Sequence, residues 1–496
     1  MNTIVCVKII EGDLNPFDAA ALEWALRRLE ANPEEEQTTV LCMGPRSCEP
    51  ILRKTSRLGA FRTILISDPL YAGSDTLATS RILAAAIRRI EQNQGAPVDL
   101  VVCGRQSIDG DTAQVGPMIA QRLGVDLAAN VLDPGIIPHS RAVAFTALTR
   151  LGGQTVALPA VFTMERIFNL RFPSIRSKVR TVEIWTNEQL GLSPNECGQA
   201  GSPTRVLKTY ESDRGRRRCK FIHRSELELL LERLIAEPKN AVPENGDDSL
   251  LPQDDSPIIN RASSVSSAST VSSDLIAAVG LEVLPIARTL STQVVPIDPV
   301  STTGSLSDLT RQSRELAPSV VLWNADLEGR KTAPQIAAAL ETGLCADCTH
   351  LEWEAGQTGR LFMYRPARGG NITAQIVCRT RPQMATVRTI GDSSEIIVSA
   401  GRNMGAQLAR IQAFAQRFHA QMGASRGLVD TGIVPYDWQV GLTGRSVSPK
   451  IYIAIGISGA VQHTCAVENA GVIVAINKDR NARIFEYADF GVVEEF

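Results

Sequence analysis

Ile451-Tyr-Ile-Ala-Ile-Gly-Ile-Ser-Gly-Ala-Val-Gln-His463, followed by Val472-Ile-Val-Ala-Ile-Asn-Lys-Asp479, is the stretch that decides the fold. Each segment runs apolar without alternation and then breaks into a glycine-bearing or charged corner. Unbroken apolar runs mark parallel strands covered on both faces, so Ile451 to Ile455 and Val472 to Ile476 are predicted as such strands. In open α/β sheets ligands lie outside the carboxyl ends of the strands, which is where these corners fall. The corners Gly423-Ala-Ser-Arg426, Gly441-Leu-Thr-Gly444 and Ala488-Asp-Phe-Gly491 belong to the same last third of the chain. Any one of them would ordinarily be a turn or a cap. Their density suits a large flat cofactor with a diphosphate.

Each corner offers a different contact. Ser458-Gly459 is predicted to open a short helix, whose free amides and positive dipole end favour electron-rich oxygen atoms, with His463 on its first turns. Arg426 can lay a planar, permanently charged guanidinium on an aromatic ring. Thr443 offers a hydroxyl, and Asn477 and Asp489 are candidates for adenosine or ribose.

The first part of the chain alternates strand and helix. Thr3 to Ile10, Thr38 to Met43, Arg62 to Ile66 and Val98 to Cys103 read as strands. Asn15-Pro16 starts one intervening helix, with proline at the first helical position, and Gly73-Ser-Asp75 caps another from Thr76 to Ile90. This pattern predicts an α/β fold with doubly wound, mostly parallel sheets. Two loops, Ala72 to Thr79 and Gly104 to Gly116, run from strand into helix through glycine and hydroxyl residues, so their amides can point at phosphates. Neither is a Walker loop, and no G-x-G-x-x-G occurs.

The chain has 496 residues, 44% hydrophobic and 21% charged, which is ordinary for a globular protein of several domains. A net charge of -2 gives no general attraction to nucleic acid or anionic membrane. The one basic run, Arg214 to Lys220, has little aromatic interleaving and is read as a solvated loop or partner contact. No signal peptide is evident, and Ile451 to Val461 is too short for a membrane span, so a cytoplasmic location is expected. The 10 cysteines are scattered, several in apolar strands, which suits buried thiols; Cys345-Ala-Asp-Cys348 is a lone pair without the ligands for zinc, and no metal site is expected.

The glycine-bearing corners of the last third resemble the alpha subunit of electron-transfer flavoprotein. That resemblance implies one FAD held by Arg426, Thr443, His463, Asn477 and Asp489, with Arg402, Ser425, Gln439, Ser458 and Gln462 as further contacts. Leu442 stands where the family usually has glutamine, which bears on the flavin's potential. Residues 1 to about 235 resemble the beta subunit through Pro159-Ala-Val-Phe-Thr163, Asn169 to Lys178 and Gly201-Ser-Pro-Thr204. Simple members hold AMP there. The wording of Asp75-Thr-Leu-Ala-Thr-Ser80 and Asp109 to Pro117 is closer to the electron-bifurcating group, which implies a second FAD that meets NADH. The implied contacts are Asp75, Thr76, Thr79, Gly104, Arg105, Asp109, Gly110, Asp111, Thr112, Gln114, Val115 and Gly116.

Residues 236–273 have linker composition, and a segment of that length reaches about 35 Å. Residues 274–392 resemble the alpha subunit's N-terminal domain, trimmed at its start and after Arg388, and residues 393–496 its FAD-binding domain. The chain is thus identified as a fusion of the two subunits, beta half first. No residue is expected to act as nucleophile or acid, because the cofactor carries the chemistry. The resemblance implies an electron carrier between NADH or an acyl-CoA dehydrogenase-like flavoprotein and one-electron acceptors such as ferredoxin or flavodoxin. Phe172, Pro173 and Ile175, in the segment matching the family's recognition loop, are the expected dock; the alternative is that Phe172 is core. The rival readings are a simple carrier with one FAD and one AMP, and a nucleotide-binding regulatory module without redox work.

Overall fold

The structure is a computed structural model that describes residues 1–135, 137, 144–211, 217–236, 272, 274–298, 306–355, 359–368, 372–389, 395–441 and 444–496. Thr443, Leu442, most of the linker and the segment 390–394 lie outside the described residues. The chain forms two compact units. One comprises Met1–Thr209, Ser269–Arg368 and Thr373–Arg388; the other Tyr210–Ala268, Gly369–Ile372 and Thr389–Phe496. Residues 210–236 therefore fold with the C-terminal part of the chain.

The first unit is built on a 9-stranded sheet. Asn2–Val7 pairs in parallel with Gln37–Met43 on one side and with Leu100–Gly104 on the other. Arg62–Ile66 and Val182–Trp185 extend it past Gln37–Met43, and Ala160–Met164 and Asp126–Asp133 extend it past Leu100–Gly104, all in parallel. An antiparallel hairpin, Phe145–Thr149 with Gly152–Val156, closes that edge. Winding reverses between Asn2–Val7 and Leu100–Gly104. That is the topological switch point, so the crevice for a ligand opens beyond Val7 and Gly104.

The same unit holds a 5-stranded parallel sheet in the order Val294–Ile297, Ile276–Val279, Val320–Asn324, Gln383–Val387 and Leu344–Cys348. A 4-stranded sheet sets Thr204–Glu211 beside Ile372–Cys378, Leu361–Ala367 and His350–Trp353. Leu77 and Met118, from the first half of the chain, share an apolar core with Ala333, Ile336 and Ala337 from the second.

The second unit is a 6-stranded parallel sheet: Lys220–Phe221, Phe490–Val492, Val472–Ile476, Ile451–Ile455, Ile396–Ala400 and Gln421–Ala424. Its switch point lies between Ile396–Ala400 and Ile451–Ile455. Gly401 and Gly456 follow those two strands, and a Cβ on Gly401 would lie 1.9 Å from the Gly456 carbonyl oxygen, so no larger residue fits.

No described helix is long and apolar enough to cross a membrane. All ten cysteines are free thiols, and Cys345 and Cys348 are buried. No group of three or more His, Cys, Asp or Glu side chains is arranged for a metal among the described residues.

Candidate functional site

At the switch point of the second unit the sequence candidates gather as the parallel sheet dictates. Arg402 begins the turn after Ile396–Ala400. Ser425 and Arg426 follow Gln421–Ala424, and Gly427 lies so close to the Arg402 stem that a Cβ there would come within 3.1 Å of it. The Arg402 stem therefore packs against the backbone just after Arg426. Arg426 Nε is 3.3 Å from Asp430 Oδ2, on a pair left substantially open to solvent. The Ser425 hydroxyl makes no capping bond, and its oxygen is out of solvent without a hydrogen-bond partner. A hydroxyl in that condition fits a polar ligand group.

The strand Ile451–Ile455 delivers Ser458, which is exposed, and Gln462 and His463 beyond it. The expected helix opening at Ser458-Gly459 is corrected: the helix is the single turn Val461–Thr464. Gly459 has φ +83°, and a Cβ on it would fall 2.1 Å from the Ile484 amide nitrogen. Gly459 is thus a left-handed link pressed against a neighbouring backbone. His463 turns inward, its Nε2 2.7 Å from the hydroxyl of the fully buried Tyr452. Burial pulls its pKa down to about 4, against the opposing effect of the Val440 backbone carbonyl, which favours the protonated ring, so the imidazole is neutral at pH 7. Gln439 is buried, while Gln462 is exposed. Asn477 Nδ2 donates to the Ile457 carbonyl at 2.9 Å, steadying the loop that carries Ser458.

Asp489 stands apart from these residues. It precedes its strand, at the amino edge of the sheet, where Oδ2 accepts from the Ile473 amide at 2.7 Å and from Arg217 Nη1 at 2.5 Å. Arg217 also donates to the carbonyl of Ala470 at 2.7 Å. Arg217, at the described end of the basic run, is therefore a clamp on backbone, where the sequence suggested a solvated loop or partner contact. The acids at the carboxyl end of that strand are Glu494 and Glu495, which composition gave no reason to single out.

In the first unit the two phosphate-type loops meet. Thr76 Oγ1 donates to Gln114 Oε1 at 2.5 Å, and Gln114 Nε2 reaches the Leu344 carbonyl at 3.0 Å. Asp75 caps its helix through Ala78 and receives both the amide and the hydroxyl of Thr204, so its carboxylate is structural. Thr79 bonds through its amide to the Asp75 carbonyl. Arg105 is buried, with Nη1 2.9 Å from Glu165 Oε1 and its guanidinium 4.9 Å from the centre of the Phe17 ring. Glu165 also accepts from Arg150 at 2.7 Å, so one buried carboxylate orients two cations. Asp109 pairs with Lys8 at 2.6 Å. Asp111 and Ala113 adopt φ of 51° and 55°, while Gly110, Thr112 and Val115 complete the turn into the helix Val115–Leu123. Gly116 leaves no room for a side chain, because Thr163 Cγ2 would lie 2.4 Å from its Cβ.

Asp18 was missed by the sequence reading. Its Oδ2 accepts from the Lys8 amide at 2.8 Å and its Oδ1 from the Gly104 amide at 2.9 Å, bridging the two strand ends at the switch point. Burial pushes its pKa up to about 7, against the pull of those amides. The only available signal was its place just inside the helix begun by Asn15-Pro16. Phe172 and Ile175 are 93% and 98% exposed, so the reading of Phe172 as core is overturned. Arg171 anchors that loop on Glu23 at 2.9 Å.

Comparison with known proteins identifies the family. The electron transfer flavoprotein domain matches residues 3–185 and 293–416, and the electron transfer flavoprotein FAD-binding domain matches residues 392–468. The electron transfer flavoprotein subunit alpha of Thermoanaerobacterium thermosaccharolyticum is 38% identical over 239 residues, 39% of this chain and 72% of that protein. Protein FixA of Azorhizobium caulinodans is 36% identical over 244 residues, 47% of this chain and 85% of its own. The caffeyl-CoA reductase-Etf complex subunit CarD of Acetobacterium woodii is 40% identical over 202 residues, 40% and 75% of the two chains. This chain belongs to the electron transfer flavoprotein family and joins a beta-type half to an alpha-type half that ends in the FAD-binding domain.

Proposed function

We propose that the chain is a single-chain electron-transfer flavoprotein that takes electron pairs from NADH and divides them between two acceptors, using two FAD. Its partner is an acyl-CoA dehydrogenase-like flavoprotein, and a ferredoxin or flavodoxin takes the low-potential electron. The name of one relative, a subunit of a caffeyl-CoA reductase complex, supports a partner of that chemical class. The observation that carries the two-site reading is the joining of Thr76 to Gln114, which makes one continuous cradle of two phosphate-type loops at a switch point.

Bound FAD supplies uptake of two electrons and release of one at a time. The protein supplies position and potential. Arg402 and Arg426 would favour negative charge on a flavin held at this corner, the Ser425 hydroxyl would offer it a hydrogen bond, and neutral His463 would add polarity without charge. Arg105, oriented by Glu165, brings a fixed cation to the other site. Phe172 and Ile175 present an apolar surface for the partner.

Acid release and chromatography should give about two FAD per chain, and rapid mixing with NADH alone should bleach flavin absorbance. One FAD with one AMP, and no bleaching with NADH while a reduced acyl-CoA dehydrogenase does reduce the protein, would replace this reading with a simple carrier.

A further inference from the structure

We infer that Glu23 is the positioning residue that holds the segment Phe168 to Lys178 in a preformed docking shape, acting on Phe172 and Ile175 through Arg171. The inference rests on the docking reading of Phe172 and Ile175 and deepens it, naming what keeps an exposed loop ready for its partner.

A loop that turns two large apolar side chains to water gains nothing from their burial, so something else must fix its shape. Glu23 lies on the helix Pro16–Ala31 and is 3% exposed. Its Oε2 accepts from the Arg171 amide at 3.1 Å and from Arg171 Nε at 2.9 Å, while its Oε1 accepts from Arg171 Nη2 at 3.0 Å and from Arg27 Nε at 2.8 Å. One carboxylate thus holds both the backbone and the side chain of the residue next to Phe172. Burial alone would raise the pKa of Glu23, yet the bonds from Arg171 and Arg27 outweigh it and keep the carboxyl below its usual range. The pair is charged at neutral pH.

Glu23, Arg27 and Glu30 form one stripe of that helix, and the whole stripe serves the loop. The Arg27 guanidinium lies 4.7 Å from the centre of the Phe168 ring, Glu30 pairs with Arg171, and Ile167, Phe168 and Leu170 pack on the core. On the far side of the tip, Arg57 donates to the Ser174 carbonyl at 3.2 Å and to the Ser177 hydroxyl at 3.3 Å, and the Arg180 amide donates to the Ser56 hydroxyl at 3.0 Å. The tip is held from both sides. Arg57 meets neutral acceptors, whereas Glu23 makes a bidentate ionic contact out of solvent, which is the stronger kind and singles Glu23 out. The same helix carries Asp18, which accepts from the Gly104 amide, so the loop is also registered on the crevice beyond Gly104. A loop already in its bound shape loses less conformational freedom when a partner seats on it.

The test follows reduction of the full chain by a reduced acyl-CoA dehydrogenase, together with amide hydrogen exchange of the segment 166–178. Glu23→Gln turns one acceptor oxygen into a donor facing arginine. It should raise KM for the dehydrogenase about fivefold, the order expected when one or two side chains must be ordered on binding, with kcat and flavin content unchanged and faster exchange in the segment. Arg171→Met should do the same, and the double variant should be no worse than either single one, because Glu23 acts through Arg171. An unchanged KM in Glu23→Gln, a loss confined to kcat, or additive effects in the double variant would each overturn the inference. Should Glu23→Gln not fold, Arg171→Met decides alone, and an unchanged KM there overturns it. Phe172→Asp separates the two readings: normal partner kinetics in that variant refute the dock itself, whereas weakened kinetics there beside an unchanged Glu23→Gln refute only the clamp.

Discussion

His463 shows how one residue's setting redirects its chemistry. A histidine in a glycine-rich corner invites the thought of a charged contact, yet burial keeps this one neutral while its Nε2 pairs with the Tyr452 hydroxyl. Its folded pKa of about 4 lies below the unfolded value of 6.5, so the unfolded chain binds the extra proton first. Stability should be fully present above pH 6.5 and fall as pH drops towards 4, by about 3 kcal/mol over that window for a group this buried. Urea unfolding of wild type and His463→Gln between pH 7 and pH 4.5 checks it; parallel losses in both would remove His463 as the titrating group. Arg426 is the opposite case, a fixed charge beside the proposed ring. Arg426→Ala should lower the potential of the C-terminal flavin by roughly 60 mV, a tenfold change for one electron. An unchanged potential in a stepwise reduction places Arg426 outside the site. Residue chemistry in the sequence singled out the buried His463 and its corner, while Ser425 came only from the family resemblance. It was illegible at Asp489, whose distance from the other candidates follows from which end of its strand it occupies.

At the scale of elements, the loop carrying Phe172 and Ile175 is the proposed docking surface. Two large apolar side chains are almost wholly exposed, while Arg171 pins the loop through Glu23 and Arg57 donates to the Ser174 carbonyl. Phe172→Asp should weaken reduction by, or transfer to, a partner dehydrogenase about tenfold without changing flavin content, because that side chain is almost wholly exposed. Unaltered partner kinetics would deny the loop a docking role. The elements that the sequence made legible are those whose environment is uniform. Ile451–Ile455 and Val472–Ile476 fall where the apolar runs end, because both faces of a parallel strand are covered. The first strand instead stops at Val7, since Ile9–Ile10 folds back on Asp13–Leu14 in a short antiparallel pair. That departure from the expected Thr3 to Ile10 depends on a partner segment, which periodicity cannot reveal. The same holds for Lys220–Phe221, a strand only because Phe490–Gly491 lies beside it.

Across the whole molecule, the two halves are held by interfaces that do not pass through the linker. Thr204–Glu211, from the beta-type half, edges a sheet whose other strands come from the alpha-type half. Glu341 accepts from Arg122 at 2.8 Å and also binds Arg81, and Leu77 and Met118 complete an apolar core with Ile336. In the C-terminal unit, Lys220–Phe221 extends the parallel sheet, and Leu227, Leu231 and Leu234 pack in one cluster with Ile396 and Phe414. A tether of this kind supplies an effective concentration on the order of millimolar, which matters only if the interface alone is weak. With sheets and cores shared across the halves, the interfaces rather than the tether are expected to keep them together. A chain cut by a protease at a site introduced between Ser264 and Ser267 should therefore elute as one complex at about 1 μM, which requires an interface stronger than about 8 kcal/mol. Elution as two separate species would show that the fusion itself maintains the assembly, and that the shared strands are too weak to replace a covalent link.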